Sequence, residues 1–264
     1  MNRPLQPSQP RNAKQDQFTA DQQLRGQTTL VTGGARRIGR EIALTLARAG
    51  ADVAVGYRTS QAEAEATVQA IAALGRRSLA INCDVRSEDS ARAAVAQVAT
   101  TFGRLNILIN NAAVFATAAL DKLSIEEWDA VFETNARGPF LMAREALPHL
   151  RTAQGRIVNL GSLGARHAWA THAHYCASKA ALESLTRAMA KAFAPEVSVN
   201  CVAPGWIDFA GKGEGNAAAH FAAKTPMERN GDASDVAQAV LFFAAGPHFI
   251  TGQTLGVDGG LGLV

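Results

Sequence analysis

Short runs of consecutive apolar residues alternate along the chain with longer stretches whose apolar positions recur at helical spacing. The runs are 28–31, 52–56, 78–83, 105–110, 156–160, 197–202 and 254–257; the helical stretches are 37–49, 61–74, 88–102, 124–150, 173–193 and 233–243. A brief, unbroken apolar run suits a strand buried on both faces, and a helix between two such strands imposes parallel pairing. The pattern therefore predicts an α/β fold. It is a Rossmann-type, doubly wound parallel sheet of about seven strands with helices on both faces, a three-layer sandwich.

In such a sheet ligands bind beyond the carboxyl ends of the strands. The glycine and polar signals of this chain fall at those ends: Gly33-Gly34, Tyr57-Arg58, Asp84, Asn110-Asn111, Gly161-Ser162 and Pro204-Gly205. The irregular, glycine-rich stretch 205–215 lies beside the same edge and is expected to be a mobile lid. Neither an internal repeat nor a composition break divides the chain, so residues 27–264 read as one domain. Residues 1–26, rich in Gln, Pro, Asn and Arg, read as a disordered or extended arm; without an apolar run they are not a secretory signal.

Composition narrows the function classes. Of 264 residues, 47% are hydrophobic and 19% charged, and the net charge is only +3, with no basic block interleaved with aromatics. Nucleic acid is therefore not an expected partner. No run approaches the ~18 apolar residues of a membrane span. Cys83, Cys176 and Cys201 have neither metal spacing nor disulfide regularity and read as reduced thiols of a cytoplasmic protein.

The candidate chemistry centres on Tyr175 and Lys179, four residues apart in a predicted helix, with Ser162 upstream. Positions i and i+4 share a helix face, so a phenol and an ammonium project together. A cation at roughly 4 Å is expected to lower a phenol by up to ~3 units before desolvation opposes it, which would make Tyr175 an acid/base near neutrality. Tyr-x-x-x-Lys also arises by chance on amphipathic helices, so the pair needs a context. His167, His172 and His174 cluster nearby, but no carboxylate or cysteine set completes a metal site, and they are expected to line the pocket or its rim.

Context comes from the first strand–helix turn, Thr32-Gly33-Gly34-Ala35-Arg36-Arg37-Ile38-Gly39. Glycines there permit a tight turn and bring backbone N–H groups onto a pyrophosphate at the helix N-terminus. About 20 residues on, an NAD site would present an acid to the ribose hydroxyls. This chain presents Tyr57-Arg58-Thr59-Ser60; with Arg36 these suit a 2′-phosphate, so NADP(H) is the expected cofactor.

Taken in order, Thr32-Gly33 through Gly39, Asp84-Val85, Asn110-Asn111-Ala112-Ala113, Asn135, Ser162, Tyr175 with Lys179, Pro204-Gly205, and Thr251-Gly252-Gln253 through Asp258-Gly259-Gly260 make the chain resemble the short-chain dehydrogenase/reductase family from about residue 27 to 263. The overall pattern is most similar to 3-oxoacyl-carrier-protein reductases. The resemblance implies that Tyr175 is the acid/base, that Lys179 tunes it and holds the nicotinamide ribose, and that Ser162 stabilises charge on the substrate oxygen. It assigns Asn135 to a water-linked proton relay with Lys179, Asp84 and Val85 to the adenine, and Asn111, Ala112 and Ala113 to adenosine and ribose. Pro204, Gly205 and Ile207 would border the carboxamide. A homotetramer, or a homodimer, built through the helices of Asn135 and Tyr175 is also implied.

Two departures from the pattern stand out. Arg37 occupies a usual glycine position and resembles the pteridine reductase branch, although Ser162 stands where those enzymes usually carry an acid. Phe209 replaces a threonine that commonly helps hold the carboxamide. The expected activity is NADPH-dependent reduction of a carbonyl or imine; the alternatives are a dihydropterin reductase and, in another class, a non-catalytic NADP(H)-sensing protein.

Overall fold

The computed structural model describes residues 22–209 and 216–264. In chain order the main elements are β1 (Thr28–Val31), α1 (Arg37–Arg48), β2 (Asp52–Tyr57), α2 (Gln61–Ala73), β3 (Ser78–Asn82), α3 (Glu88–Phe102), β4 (Ile107–Asn110), α4 (Ile125–Phe132), α5 (Gly138–Ala153), β5 (Arg156–Leu160), α6 (Ala173–Phe193), β6 (Ser198–Pro204), α7 (Asn216–Lys224), α8 (Ala233–Ala245) and β7 (Thr254–Val257). The seven strands form one sheet in the order β3-β2-β1-β4-β5-β6-β7, and all pairs are parallel. The strand order reverses between β1 and β4, which opens a crevice at their carboxyl ends.

The apolar runs work because both faces of the sheet are covered. Val31, Val53, Val55, Ile107, Ile109 and Val158 meet Ile42 and Leu46 of α1, Ile71 of α2 and Val236 and Val240 of α8 on one face. Their strand neighbours Leu30, Ala54, Leu108, Ile157 and Val199 meet Val95 and Val98 of α3, Met142 and Leu150 of α5 and Met189 of α6 on the other. Each such side chain contributes about 1.5–3 kcal/mol when fully buried. A one-residue slip of a strand would exchange the two sets and spoil both interfaces.

Three departures from the sequence expectation bear on the site. The helix expected over 124–150 is interrupted by a π turn, Glu133–Arg137, between α4 and α5. Ser124 starts α4 through a reciprocal capping box with Glu127, as its Ser-x-x-Glu spacing allows. Helix α7 was not anticipated; it follows the expected lid, of which residues 210–215 lie outside the described residues. Of the expected arm, residues 1–21 also lie outside them, while Leu24 is fully buried and its N–H donates to the Ala49 carbonyl at 2.8 Å.

Candidate active site

A cavity of about 300 Å³ occupies the crevice. The turn after β1 lines it with Gly33, Arg36, Arg37, Ile38 and Gly39, and the end of β2 with Tyr57, Arg58, Thr59 and Ser60. Asp84 and Val85 contribute from beyond β3, and Asn111, Ala112 and Ala113 from beyond β4. Sequence reasoning missed Ala35, Cys83, Val114 and Thr134, each adjacent to a named position, and did not assign Phe209 to this wall. Pro204, Gly205 and Ile207 sit at the end of β6, where Ile207 bridges to Gly231, and they do not line this cavity.

The turn is built to present backbone. Gly33 has φ +61°, and a Cβ there would lie 3.0 Å from the Ala112 Cα, so neither the dihedral nor the space admits a side chain without strain. Thr32 Oγ1 accepts from the N–H groups of Asn111 and Ala112 at 3.0 and 3.1 Å. Asn111 Nδ2 donates to the carbonyls of Thr32 and Gly33, both at 2.9 Å, so this amide stiffens the turn while its residue lines the cavity. Arg36, at the N-cap of α1, makes no side-chain cap bond. A helix leaves its first-turn N–H groups without intrahelical partners, and the first-turn residues Arg37, Ile38 and Gly39 line the crevice, the arrangement that suits a pyrophosphate.

Electrostatics at the β2 end suit an anion. Arg36 and Arg58 are exposed, and among the described residues neither is in an ion pair. Ser60, at the N-cap of α2, makes no cap bond that would occupy its hydroxyl. Asp52 lies at the opposite end of β2, paired with Arg77 at 2.7 Å. Asp84 is engaged by Arg86 at 2.6 Å, and this hydrogen-bonded guanidinium holds its carboxyl below the usual range. The residues present thus fit a dinucleotide carrying an additional phosphate: backbone donors for the pyrophosphate, and arginine with hydroxyls where an NAD site would place an acid.

The Tyr175 pair departs from the sequence expectation. Lys179 is buried; its Nζ donates to the Leu160 carbonyl at 2.7 Å and lies 5.8 Å from the centroid of the Tyr175 ring. Burial lowers Lys179 to about 8. Burial likewise raises the Tyr175 phenol above its ordinary value, and the hydroxyl of Ser162 only partly offsets this. The expected depression of the phenol by its neighbour is therefore not found, because desolvation acts on both groups and the ammonium points to a carbonyl. Ser162 Oγ accepts from the Gly164 N–H at 3.1 Å, which fixes its position at the end of β5.

The π turn explains how Asn135 reaches this region. Its carboxamide Oδ1 accepts from the Val114 N–H at 2.8 Å, while Nδ2 donates to the Val114 carbonyl at 2.9 Å and to Ser178 Oγ at 3.1 Å. Ser178 Oγ in turn donates to the Tyr175 carbonyl at 2.7 Å. Asn135 thus ties α6 to Val114 on the cavity wall, and its hydrogen bonds reach the residue before Lys179 rather than Lys179 itself. Extra residues in a helical turn re-aim a side chain, which is why π turns recur at functional positions.

Aromatic rings wall the far side of Tyr175. Phe115, 60% exposed, packs edge-on against Tyr175 at 4.8 Å and stacks on His172 at 4.6 Å. Trp169 lies nearly parallel to Tyr175 at 6.4 Å. His172 is held by Thr117 and Thr171, each at 3.0 Å. Burial lowers its pKa.

The chain matches, over residues 33–262, the family described as "Enoyl-(Acyl carrier protein) reductase". It is 38% identical over 239 residues to the 3-oxoacyl-[acyl-carrier-protein] reductase FabG of Staphylococcus aureus strain Mu50, covering 89% of this chain and 97% of the relative. A short-chain dehydrogenase/reductase, FrzI, of Cladobotryum sp. is 36% identical over 244 residues, covering 88% and 94% of the two chains. Among solved structures, a short chain dehydrogenase from Burkholderia cenocepacia J2315 in complex with NADP superposes with TM-score 0.85 at 40% identity, over 90% of this chain and 99% of the other. A blue fluorescent protein from a metagenomic library in complex with NADPH does so with TM-score 0.85 at 35% identity, over 91% and 99%. Fold, site architecture and these likenesses agree: the chain belongs to the short-chain dehydrogenase/reductase family and resembles its 3-oxoacyl-carrier-protein reductases.

Proposed function

We propose that this protein is an NADPH-dependent reductase of carbonyl or imine groups, with a 3-oxoacyl thioester as the favoured substrate class. The observation that carries the reading is the continuity between two regions. Val114 lines the arginine-bearing cavity, and through Asn135 and Ser178 it is tied to the helix that carries Tyr175 and Lys179. The likeness to a 3-oxoacyl-carrier-protein reductase and to NADP- and NADPH-bound neighbours supports it.

In this reading the first-turn N–H groups of α1 and Arg37 receive the pyrophosphate, and Arg36, Arg58, Thr59 and Ser60 receive the 2′-phosphate. The reduced nicotinamide, when bound, supplies a hydride to the substrate carbon. Tyr175 gives its phenolic proton to the receiving oxygen or nitrogen, and a raised phenol pKa suits it to being protonated beforehand. Ser162 donates to the same oxygen and stabilises the growing negative charge. Lys179, held by the Leu160 carbonyl, places a positive charge beside the phenolate left behind. Asn135 fixes the relative position of these parts. NADPH absorbance followed with a 3-oxoacyl thioester tests the reading; no oxidation with that thioester, a simple ketone or a dihydropterin would favour a sensing protein instead.

A dihydropterin is the second reading. The exposed Phe115 ring beside Tyr175 offers a flat apolar surface for a planar ring, and Arg37 supports the same branch. Comparing kcat/KM for dihydropterin and 3-oxoacyl thioester separates the two.

Assembly as a homotetramer completes the proposal. An apolar depression between α5 and α6 is lined by Phe140, Leu147, Leu185, Met189 and Phe193. Phe242 of α8 and Leu255 of β7 are exposed elsewhere on the surface. An exposed apolar depression suits a subunit interface. The three free, buried cysteines suit a cytoplasmic setting. Light scattering on the purified protein gives the mass of the assembly; a monomer would contradict this part.

A further inference from the structure

Two residues marked in the sequence as departures from the family pattern, Arg37 and Phe209, meet in space. Arg37 Cζ lies over the ring of Phe209, 5.1 Å from its centroid. The two side chains line the same cavity from different elements: Arg37 from the first turn of α1, Phe209 from the chain beyond β6. Both are exposed, and among the described residues Arg37 is in no ion pair.

Both ends of this contact are fixed by backbone. Arg37 has φ +51°, a left-handed value that glycine adopts without strain and arginine does not. On the other side, the backbone just before Phe209 is anchored by a parallel bridge. The Gly231 N–H donates to the Trp206 carbonyl at 3.1 Å, and the Asp208 N–H donates to the Gly231 carbonyl at 2.9 Å. A strained side chain retained over a ligand cavity points to a role in that cavity.

We infer that Arg37 and Phe209 form a cation–π clasp across the cofactor cavity, which slows the departure of the bound dinucleotide. The inference rests on reading the cavity as the NADP(H) site. Phe209 holds the guanidinium over the crevice at little cost to its charge, because a cation on an aromatic face keeps its field. Arg37 thus faces the pyrophosphate and an anchored lid residue together, and leaving requires that contact to open. In this scheme Arg37 binds the cofactor directly and Phe209 acts through it, as a positioning residue; neither touches the reacting atoms.

The test is the dissociation rate of NADPH, followed by its fluorescence on displacement with excess NADP⁺, for Arg37→Gly, Phe209→Leu and the double variant. Phe209→Leu should release NADPH about two- to five-fold faster, the range of an exposed cation–π contact. Arg37→Gly should release it at least as fast, while its unliganded melting temperature stays at or above that of the parent, since glycine relieves the left-handed backbone. The double variant should be no faster than the faster single one. A parental rate in Phe209→Leu, or single effects that multiply in the double variant, would overturn the clasp while leaving the cofactor reading intact. Absence of NADPH binding by the parent protein would overturn both.

Discussion

Lys179 carries its ammonium 5.8 Å from the centroid of the Tyr175 ring and gives a proton donor to the Leu160 carbonyl at 2.7 Å. The lysine is thereby buried as a cation with one backbone partner, and burial brings it down to about 8. Its charge is present at neutral pH and is lost just above it, which in the proposed mechanism would couple proton transfer by Tyr175 to a second titration.

Activity should therefore decline on the alkaline side. In the proposed mechanism, as Lys179 loses its proton, the phenolate left on Tyr175 would lose its neighbouring positive charge. The rate of ketone reduction measured from pH 6 to 10 should fall with an apparent pKa of about 8. A rate that stays flat to pH 10 would separate Lys179 from the reaction.

The same burial costs stability. Because the folded-state pKa of Lys179 lies below its ordinary 10.5, the unfolded chain binds more protons between about 8 and 10.5, and stability rises with pH across that window. Lys179→Met removes the buried charge, worth about 3 kcal/mol, but orphans the Leu160 carbonyl, which takes back about 1–2 kcal/mol. In urea at pH 7 this variant should be more stable than the parent by about 1–2 kcal/mol; the gap should vanish between about pH 9 and 10 and reverse above that, as the parent sheds its buried charge while the variant keeps the orphaned carbonyl. A gap independent of pH would show that Lys179 is not the titrating group.

Cofactor selectivity should depend on Arg58. Arg58→Asp replaces the proposed donor to the 2′-phosphate with a repelling carboxylate at the end of β2. NADPH affinity should fall by about 10- to 100-fold, the worth of a charge-assisted bond and more, whereas NADH affinity should change by no more than a few fold. Titrating both dinucleotides against the variant and the parent checks this; equal losses would remove the phosphate assignment.

Asn135 should matter for folding as well as turnover. Asn135→Ala removes a fully buried carboxamide and leaves the part-buried N–H and carbonyl of Val114, and the buried Ser178 hydroxyl, without that partner. Unfolding in urea should show a loss of about 2–3 kcal/mol. A loss below about 0.5 kcal/mol, the size of an ordinary surface substitution, would mean that the carboxamide is not holding the two segments together.

These relationships were unequally legible in the sequence. The strands were readable because each needed a continuous apolar run to fill two interfaces, and the turn at Gly33 because its backbone dihedral selects glycine. Part of the cavity lining, Gly33, Tyr57, Arg58, Asp84 and Asn111, followed from the rule that places ligands at strand ends, whereas Ala35, Cys83, Val114 and Thr134 did not. The π turn at Glu133–Arg137 was not readable, since a single wide turn shifts the apolar spacing of a long helical stretch too little to stand out. Nor was the rise in the Tyr175 pKa, because spacing shows which charges are close but not how far water has been excluded from them. The Arg37–Phe209 contact joins residues 172 positions apart, and sequence marked each as a departure without relating them.

The most direct measurement compares Tyr175→Phe with the parent protein in two assays, NADPH binding and reduction of a 3-oxoacyl thioester by NADPH. The account requires turnover to fall by at least about 100-fold, the contribution of a positioned proton donor, while NADPH affinity stays within a few fold. A Tyr175→Phe variant that reduces the thioester at the parental rate would contradict it.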